Sequence, residues 1–334
     1  MNACPDVSVI VGYYNRRDVL DVTLDSILGQ SFSNLELIVF DDASTDGTAE
    51  ALAEYAARRQ DARLRILLHE ANVGFVRGLT DAIGLARGQY IAIQGSGDSS
   101  RPERIARQVE LLEARPEVGV VGCWYNNYNI SSGRHEEVRP NADSASLDDL
   151  MQRNFFTHGE VMFRRSLYDR VGGYRPEFTY VQDLDLWIRM RRLAEFATVP
   201  EVLYERYIRN DGVTSNPKKF ARQVRFPVLA RELSHLTEAD QERKLELVRE
   251  RGVESVVSLN HPQVQKKYIE HVRVLGWSGK PDEAVELARE NVMSLRHRVF
   301  LVGFFTAYRL PMLGQVLRVF VAAGRRIKRK VGGR

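Results

Sequence analysis

Short apolar runs alternate with amphipathic stretches through the first 121 residues of the chain. The runs are rich in β-branched residues, as buried parallel strands are, and they cover residues 7–11, 35–40, 64–68, 90–94 and 118–121. Between them, apolar side chains recur at helical spacing and predict helices over residues 18–28, 48–59, 79–86 and 104–114. This alternation predicts an α/β domain with a mostly parallel sheet flanked by helices.

The second half of the chain follows a different pattern. Residues 131–148 lose apolar periodicity, which predicts a loop. Further elements are predicted as strands at 161–163 and 202–207, the second at a sheet edge, and as helices at 184–193, 220–233, 238–251, 263–275 and 281–295. We therefore predict an α/β domain over residues 1–216, a helical extension over 217–295 and a basic amphipathic tail over 296–334.

Composition and cysteine content narrow the class of protein. With 334 residues, 44% of them hydrophobic and 28% charged, the chain has an ordinary globular composition and ample length for a buried core. Its two cysteines, Cys4 and Cys123, are too few for a disulfide scaffold or a cysteine-built zinc site and fit a reducing compartment. The N-terminal segment lacks a basic region followed by an apolar one, so we expect no secretory signal and a cytoplasmic protein.

The net charge of +4 is unevenly distributed. From Asn291 onward the chain has ten Lys and Arg residues and no Asp or Glu, which leaves a net −6 on the preceding 290 residues. Such a basic end favours an anionic partner. One interpretation is amphipathic helices lying peripherally on the inner face of a membrane, and the other is a packed helix pair with a solvated basic end. We expect no nucleic-acid binding, because the tail has no interleaved motif for it.

Polar residues follow the first two predicted strands directly, at the edge of the sheet where α/β proteins bind ligands. The segment 12–15 (Gly-Tyr-Tyr-Asn) follows the first strand, and Asp41-Asp42 ends the second. A carboxylate in this place can accept the N–H of a uracil-type base or the hydroxyls of a ribose. Helix capping is the alternative role and accounts for residues 44–46. It does not account for Asp41 and Asp42, because adjacent carboxylates repel each other unless something binds them.

These two segments resemble the opening of the family 2 glycosyltransferases with the GT-A fold. In that family the first strand leads into Pro-x-Tyr-Asn, and the second ends in Asp-Asp-x-Ser-x-Asp-Gly-Thr. Tyr14 and Asn15 match this pattern, whereas Gly12 stands in place of the proline. The resemblance continues in the family's order over roughly the first 215 residues, through segments 72–74, 88–93, 102–105, 158–165, 171–174 and 183–189.

The resemblance implies a GT-A fold and a nucleotide-diphosphate sugar as the donor. On the family's pattern, Asp42 contacts the base and Tyr14 lies against it. Asp41, Asn15 and Asn72 are assigned to the same nucleotide-binding region. The helices predicted beyond residue 216 would then form an all-helical C-terminal extension of that fold.

Inverting glycosyl transfer needs a base that takes the proton of the acceptor hydroxyl as that hydroxyl attacks the anomeric carbon. The resemblance assigns this role to Asp183, at the position of the Asp in the family's Glu-Asp pair, with Gln182 in place of the Glu. Gln182, Asp185 and His158 are assigned to the acceptor side. The alternatives are structural: Asp183 or Asp185 as a helix cap, Arg189 as a partner of Asp185, and His158 as a packed residue.

The family's metal-binding Asp-x-Asp motif is missing from this chain. Gly95 and Gly97 occupy its two positions, followed by Asp98, and Arg209 occupies the position of a late histidine that the family places near the diphosphate. Two interpretations stay open. In the first, Arg209 replaces part of the metal's charge, and backbone N–H groups of Gly95 and Gly97 approach the phosphates. In the second, Asp98 holds Mg²⁺ or Mn²⁺ loosely through water.

We therefore predict an inverting glycosyltransferase that moves a sugar from a nucleotide-diphosphate donor to a hydroxyl of a glycan or lipid-linked acceptor, in surface polysaccharide or glycolipid assembly. The alternative is a catalytically silent relative that binds nucleotide or glycan. The loss of the Asp-x-Asp carboxylates supports the alternative, whereas the presence of Asp183 opposes it.

Overall fold

The structure is a computed structural model and describes residues 4–143, 145–209 and 217–309. The chain divides into two compact units, Met1–Glu242 and Arg243–Arg334. The domain boundaries predicted at residues 216 and 295 remain predictions. Residues 310–334 of the predicted tail, with seven of its ten basic side chains, lie outside the described residues.

The first unit contains one mixed sheet of nine strands within the described residues. The strands are β1 (Val7–Tyr13), β2 (Leu35–Asp41), β3 (Leu64–Leu68), β4 (Tyr90–Gln94), β5 (Ser99–Ser100), β6 (Val118–Asn129), β7 (Arg134–Val138), β8 (Met162–Arg164) and β9 (Glu195–Ile208). They lie in the order β3-β2-β1-β4-β8-β6-β9-β5, with β7 paired to β6. The pairs β3-β2, β2-β1, β1-β4 and β6-β9 are parallel, whereas β8, β5 and β7 run antiparallel to their neighbours.

Helices follow most of these strands. Those of the first unit are α1 (Leu20–Leu28), α2 (Thr48–Arg59), α3 (Phe75–Gly84), α4 (Arg104–Ala114), α5 (Leu147–Gln152), α6 (Arg165–Arg170), α7 (Gln182–Arg191), α8 (Pro217–Gln223) and α9 (Phe226–Ser234). The next helix, α10 (Glu238–Arg251), begins in the first unit, and the second unit continues with α11 (Pro262–Trp277), α12 (Pro281–Asn291) and α13 (Leu295–Arg309). The predicted α/β class with a helical C-terminal part is thus confirmed. Among the described residues, no helix has the length and apolar content needed to cross a membrane.

The central strands β1 and β2 are buried along almost their whole length. Every residue of β2 is buried, and β1 is buried except at Gly12. Burial on both faces is typical of parallel strands covered by helices, and Leu24 of α1 and Leu52 of α2 belong to the same core as these strands. Because Tyr13 of β1 is in register with Asp41 of β2, the two strands end side by side.

Three secondary-structure predictions are wrong. Residues 131–148 include β7 and the start of α5, because the polar, exposed side chains of β7 produce no apolar period. The strand predicted at 202–207 is the second half of β9, which begins at Glu195 and lies between β6 and β5 rather than at the edge. The helix predicted at 220–233 is two helices, α8 and α9, separated by a turn at residues 224–225.

Candidate active site

A cleft of ≈ 440 Å³ opens at the carboxyl ends of β1 and β2, where the sequence predicted the chemistry. Its lining residues are Gly12, Tyr13, Tyr14, Arg16, Phe40, Asp42, Asn72, Gly74, Phe75, Ser96, Tyr180 and Lys219. Three of the predicted nucleotide-binding residues, Tyr14, Asp42 and Asn72, therefore lie around one cleft.

Sequence reasoning missed several polar and aromatic residues of this cleft. They are Arg16, Phe75, Ser96, Tyr180 and Lys219. Arg16 comes directly after the Tyr-Asn motif, so its place in the sequence could have indicated that it lines the cleft. Tyr180 and Lys219 have no local signal, because they come from parts of the chain that only the folded structure brings to this edge.

Asp42 is buried beside the cleft. Its carboxylate oxygens accept hydrogen bonds from the backbone N–H groups of Val73 (2.8 Å) and Gly74 (3.0 Å). The side-chain amide of Asn72 donates to the Asp42 carbonyl oxygen at 3.1 Å, so the loop 72–74 is folded onto this residue. Asp42 Oδ1 also lies 3.4 Å from His69 Nδ1, and since a carboxylate oxygen has two lone pairs, Oδ2 keeps an acceptor position after these contacts.

Asn15 ties the loop after β1 to the loop after β2, and Asp41 holds the loop after β2 in place. Asp41 Oδ2 accepts from the Ser44 N–H at 3.0 Å, and Asn15 Oδ1 accepts from the Thr45 N–H at 2.7 Å. Protein donors thus offset the repulsion between the adjacent carboxylates, so that repulsion by itself no longer requires a ligand. Tyr14 is 51% exposed next to these loops, so its ring is accessible to a planar base.

Asp183 lies partly buried in the first turn of α7 and accepts a hydrogen bond from the side-chain amide of Asn154 at 2.6 Å. Burial lowers the pKa of His158 below its ordinary value, and the Asp183 carboxylate opposes this effect. His158 Nε2 is 2.7 Å from Tyr174 Oη, and the His158 ring lies edge-on to Phe75 with centroids 6.1 Å apart. Since Phe75 also lines the cleft, a ring contact joins the cleft to His158.

Asp185 has a structural position. It is 2% exposed, and its two oxygens accept hydrogen bonds from Arg175 Nη1 at 3.0 Å and Arg189 Nη2 at 2.7 Å. The predicted pairing with Arg189 is therefore observed, and the assignment of Asp185 to the acceptor side stays a prediction. Gln182 opens α7 and is partly buried, and its role stays a prediction.

The loop between β4 and β5 contains the glycines predicted to face phosphate. The Gly95 N–H donates to Tyr204 Oη at 3.1 Å, and the Gly97 N–H donates to Thr23 Oγ1 at 2.9 Å. Both N–H groups assigned to the phosphates from the sequence therefore have acceptors inside the protein.

Asp98 follows these glycines and is directed at β9. Its carboxylate accepts from the Tyr204 hydroxyl at 2.6 Å and the Tyr207 N–H at 2.9 Å, and burial raises its pKa above the ordinary value. A raised pKa favours the protonated form, whereas a metal ligand must be deprotonated. In the ranges that the structure describes, no group of three or more His, Cys, Asp or Glu side chains could hold a metal ion. These residues do not fit the cation of an Asp-x-Asp site.

Arg209 forms an ion pair with Asp18 at 2.8 Å.

Gly12 stands where the family has a proline, and it lies next to a large side chain. A Cβ atom on residue 12 would lie 2.2 Å from the Phe40 ring, and one on Gly78 would lie 2.5 Å from the same ring. The ring of Phe40 therefore occupies the space between two glycines at the cleft. A proline at position 12 would require this ring to move.

We expect Gly12→Ala to lower the free energy of unfolding by about 1–3 kcal/mol, because the added methyl group overpacks the site against Phe40. Phe40→Leu removes the atoms that clash, so the double variant should lose less than the sum of the two single variants. Urea denaturation of all four proteins measures this coupling. Strictly additive losses would contradict the steric explanation.

Comparison with solved structures defines the class of the fold. S. aureus TarS 1-349 in complex with UDP-GlcNAc is 17% identical and superposes with a TM-score of 0.56, covering 90% of this chain and 89% of TarS 1-349. The mannosyltransferase PcManGT from Pyrobaculum calidifontis, solved with GDP-Man and Mn²⁺, is 21% identical with a TM-score of 0.56, covering 91% of this chain and 85% of that one. The fold is that of the GT-A glycosyltransferases, as the resemblance implied.

Sequence comparison then identifies the family. Residues 8–172 match the family described as "Glycosyl transferase family 2". "Putative glycosyltransferase EpsE" of Bacillus subtilis (strain 168) is 36% identical over 191 residues, which cover 57% of this chain and 68% of EpsE. "Putative teichuronic acid biosynthesis glycosyltransferase TuaG" of the same strain is 28% identical over 239 residues, covering 70% of this chain and 92% of TuaG. The chain belongs to glycosyltransferase family 2 and is a transferase.

Proposed function

We propose that this chain is an inverting glycosyltransferase that moves a sugar from a nucleotide-diphosphate donor to an acceptor hydroxyl. The observation that carries the proposal is the ring contact between Phe75, which lines the cleft beside Asp42, and His158, whose pKa is influenced by the charge of Asp183. A donor with its base near Asp42 and its sugar towards Asp183 would span this contact.

Asp183 supplies the base in this proposal. Its carboxylate takes the acceptor proton while the acceptor oxygen attacks the anomeric carbon from the side opposite to the departing diphosphate. A single displacement of this kind inverts the configuration at that carbon. The hydrogen bond from Asn154 at 2.6 Å orients one carboxylate oxygen, and the other oxygen is then the one to accept the proton.

The donor and acceptor classes are inferred from the cleft and the relatives together. The exposed ring of Tyr14 and the remaining acceptor position of Asp42 suit the face and the N–H edge of a base. TarS and PcManGT were solved with UDP-GlcNAc and GDP-Man, which supports a nucleotide sugar here. The printed name of TuaG refers to teichuronic acid biosynthesis, and we extend this to a surface polysaccharide or lipid-linked glycan as the acceptor.

The test is binding of UDP, GDP and dTDP, followed by turnover of the matching nucleotide sugars. We expect Asp42→Asn to raise the Kd of the preferred nucleotide at least tenfold. The amide has one acceptor oxygen in place of two, so it cannot accept hydrogen bonds from Val73, Gly74 and a base together. Asp169→Asn, an exposed carboxylate of α6, is the matched control and should bind normally. Nucleotide binding without any sugar transfer would favour the catalytically silent relative instead.

We also propose that α13 lies on an anionic membrane surface. Leu295, Val299 and Phe300 are 64%, 62% and 61% exposed, and Arg296 is exposed beside them. Exposed apolar side chains flanked by arginines suit an interface with anionic lipid. Phe300→Glu should lower co-sedimentation with phosphatidylglycerol vesicles severalfold, whereas the equally exposed Val274→Glu should not. Equal binding of all three proteins would refute this docking mode.

A further inference from the structure

His69 lies beside Asp42 at the point where β3 ends. Its backbone N–H donates to the Asp41 carbonyl oxygen at 3.0 Å, which extends the pairing of β3 with β2 by one residue. Its ring packs against Phe40, with ring centroids 6.0 Å apart, and against α3, where a Cβ atom on Gly78 would lie 3.1 Å from His69 Cε1. The His69 side chain is 11% exposed. Packing therefore holds this ring in one place, next to the carboxylate that lines the cleft.

Each nitrogen of the His69 ring faces a carboxylate. Nδ1 is 3.4 Å from Asp42 Oδ1, and Nε2 is 3.8 Å from Asp81 Oδ2 on α3. Both nitrogens are buried, and among the described residues neither has a partner in hydrogen-bond geometry. The Asp81 carboxylate also accepts from Arg77 Nε at 3.0 Å. The charged groups that the described residues place at this ring are therefore Asp42, directly after β2, and Asp81 of α3, with Arg77 bound to Asp81.

A neutral imidazole does not suit this arrangement. It has one N–H and one lone pair, so either tautomer directs a lone pair at one of the two carboxylates. The imidazolium has an N–H on both nitrogens and matches both carboxylates. The charged ring is therefore the form that holds Asp42 Oδ1.

The contact with His69 makes the two oxygens of Asp42 unequal. Oδ1 accepts from the Val73 N–H at 2.8 Å and has His69 Nδ1 at 3.4 Å, so protein groups already take up this oxygen. Oδ2 accepts from the Gly74 N–H at 3.0 Å and keeps one acceptor position. Asp42 therefore offers a ligand in the cleft one acceptor, where a carboxylate without these contacts would offer a pair.

We propose that His69 is a positioning residue for base recognition, which occupies Asp42 Oδ1 and leaves Oδ2 to a base with a single imide N–H, uracil or thymine. The inference rests on the proposed function, because it concerns the base of the donor bound in the same cleft. Guanine presents two parallel donors on one edge, N1–H and N2–H, and these match both oxygens of one carboxylate. At Asp42 one of the two would lack an acceptor, which costs binding free energy. UDP and dTDP should therefore bind more tightly than GDP.

The same contacts make base recognition depend on pH. Histidine is the side chain that ordinarily changes its charge between about pH 5 and pH 8. When the His69 ring is neutral, a lone pair faces one of its two carboxylates, so Asp42 Oδ1 is held less firmly. Affinity for UDP should therefore be highest at the acid end of this range and should fall as the pH rises.

The test measures the binding of UDP, dTDP and GDP to the full chain by calorimetry. For the parent we expect the Kd of GDP to lie at least tenfold above those of UDP and dTDP, since one guanine donor stays unpaired. His69→Ala exposes Asp42 Oδ1 to the ligand and should reduce this preference to less than about threefold. His69→Asn keeps a neutral N–H donor near the position of Nδ1 and should restore most of the preference.

The pH response separates this role from a purely structural one. The Kd of UDP is compared at about pH 6 and about pH 8, within the range in which histidine changes its charge. Titration of the UDP phosphate affects every variant equally and cancels in the comparison. We expect the Kd to rise at least threefold more in the parent than in His69→Asn, which keeps the donor without the charge.

Asp81→Asn and a remote histidine complete the test. Asp81→Asn should flatten the pH response and keep the base preference, because its amide can donate to the Nε2 of a neutral His69 ring. The substitution His235→Ala, at an exposed residue that follows α9, should leave both readouts as in the parent.

GDP binding as tight as UDP binding in the parent would overturn this inference and leave the proposed function standing. The same holds for a base preference that survives in His69→Ala, or for a pH response that survives in both His69→Asn and Asp81→Asn. If His69→Ala does not fold, the pH responses of the other two variants decide. A chain that binds none of the three nucleotides at either pH would overturn both proposals.

Discussion

Replacing Asp183 with Asn is expected to lower kcat for sugar transfer by about 10³-fold, within the range that a positioned general base contributes. The amide keeps the size of the side chain, and its oxygen can still accept the hydrogen bond from Asn154. It cannot take a proton from the acceptor hydroxyl. Because Asp183 is not among the described residues that line the cleft beside Asp42, nucleotide affinity should stay within about twofold of the parent.

Transfer rates and nucleotide Kd values, measured on the same preparations, check this expectation. Asp148→Asn is a matched control. Asp148 lies in the first turn of α5, as Asp183 lies in the first turn of α7, but its carboxylate is exposed. The control should retain full activity. An Asp183→Asn protein that transfers sugar at more than a tenth of the parent rate would remove Asp183 from the role of base.

Asp185→Ala should lower the free energy of unfolding by about 3–5 kcal/mol, the loss measured when one partner of a buried ion pair is removed. Asp185 is 2% exposed, and the side chains of Arg175 and Arg189 that flank it are only 21% and 15% exposed. The substitution leaves two largely buried guanidinium groups without their shared carboxylate. Because both arginines keep some contact with solvent, the loss should fall at the lower end of this range.

Urea denaturation of the parent and the variant measures the loss, with Asp169→Ala as the control. Asp169 is a 61% exposed carboxylate that lies 3.7 Å from Arg165, so its removal should change stability by less than about 1 kcal/mol. A loss in Asp185→Ala no larger than that of the control would show that the two arginines find other partners.

Asp183 and Asp185 show where sequence reasoning reached its limit. Both are acidic residues in the first turn of one helix, and the family pattern assigned both to the acceptor region. In the structure Asp183 accepts a hydrogen bond from Asn154, and Asp185 is buried between two arginines. The local i,i+4 spacing predicted the pairing of Asp185 with Arg189, whereas Asn154 and Arg175 come from outside the helix and only the folded structure shows them as partners.

The sequence by itself determined the α/β class, the first residues of β1 and β2, and the place of Tyr14, Asp42 and Asn72 at one edge of the sheet. These follow from local patterns, because burial of a parallel strand demands a continuous apolar run and the polar residues that follow the run lie near the edge of the sheet. The family resemblance rested on the same short segments.

The tertiary structure alone decided which of the candidate groups are available for chemistry. It directs Asp98 to Tyr204, gives the glycine N–H groups of the same loop acceptors inside the protein, and brings Lys219 to the cleft of Arg16. Each of these contacts joins residues separated by roughly 70 to 200 positions. Whether a polar group is available for chemistry depends on long-range packing, because the fold decides which hydrogen-bond partners lie beside that group.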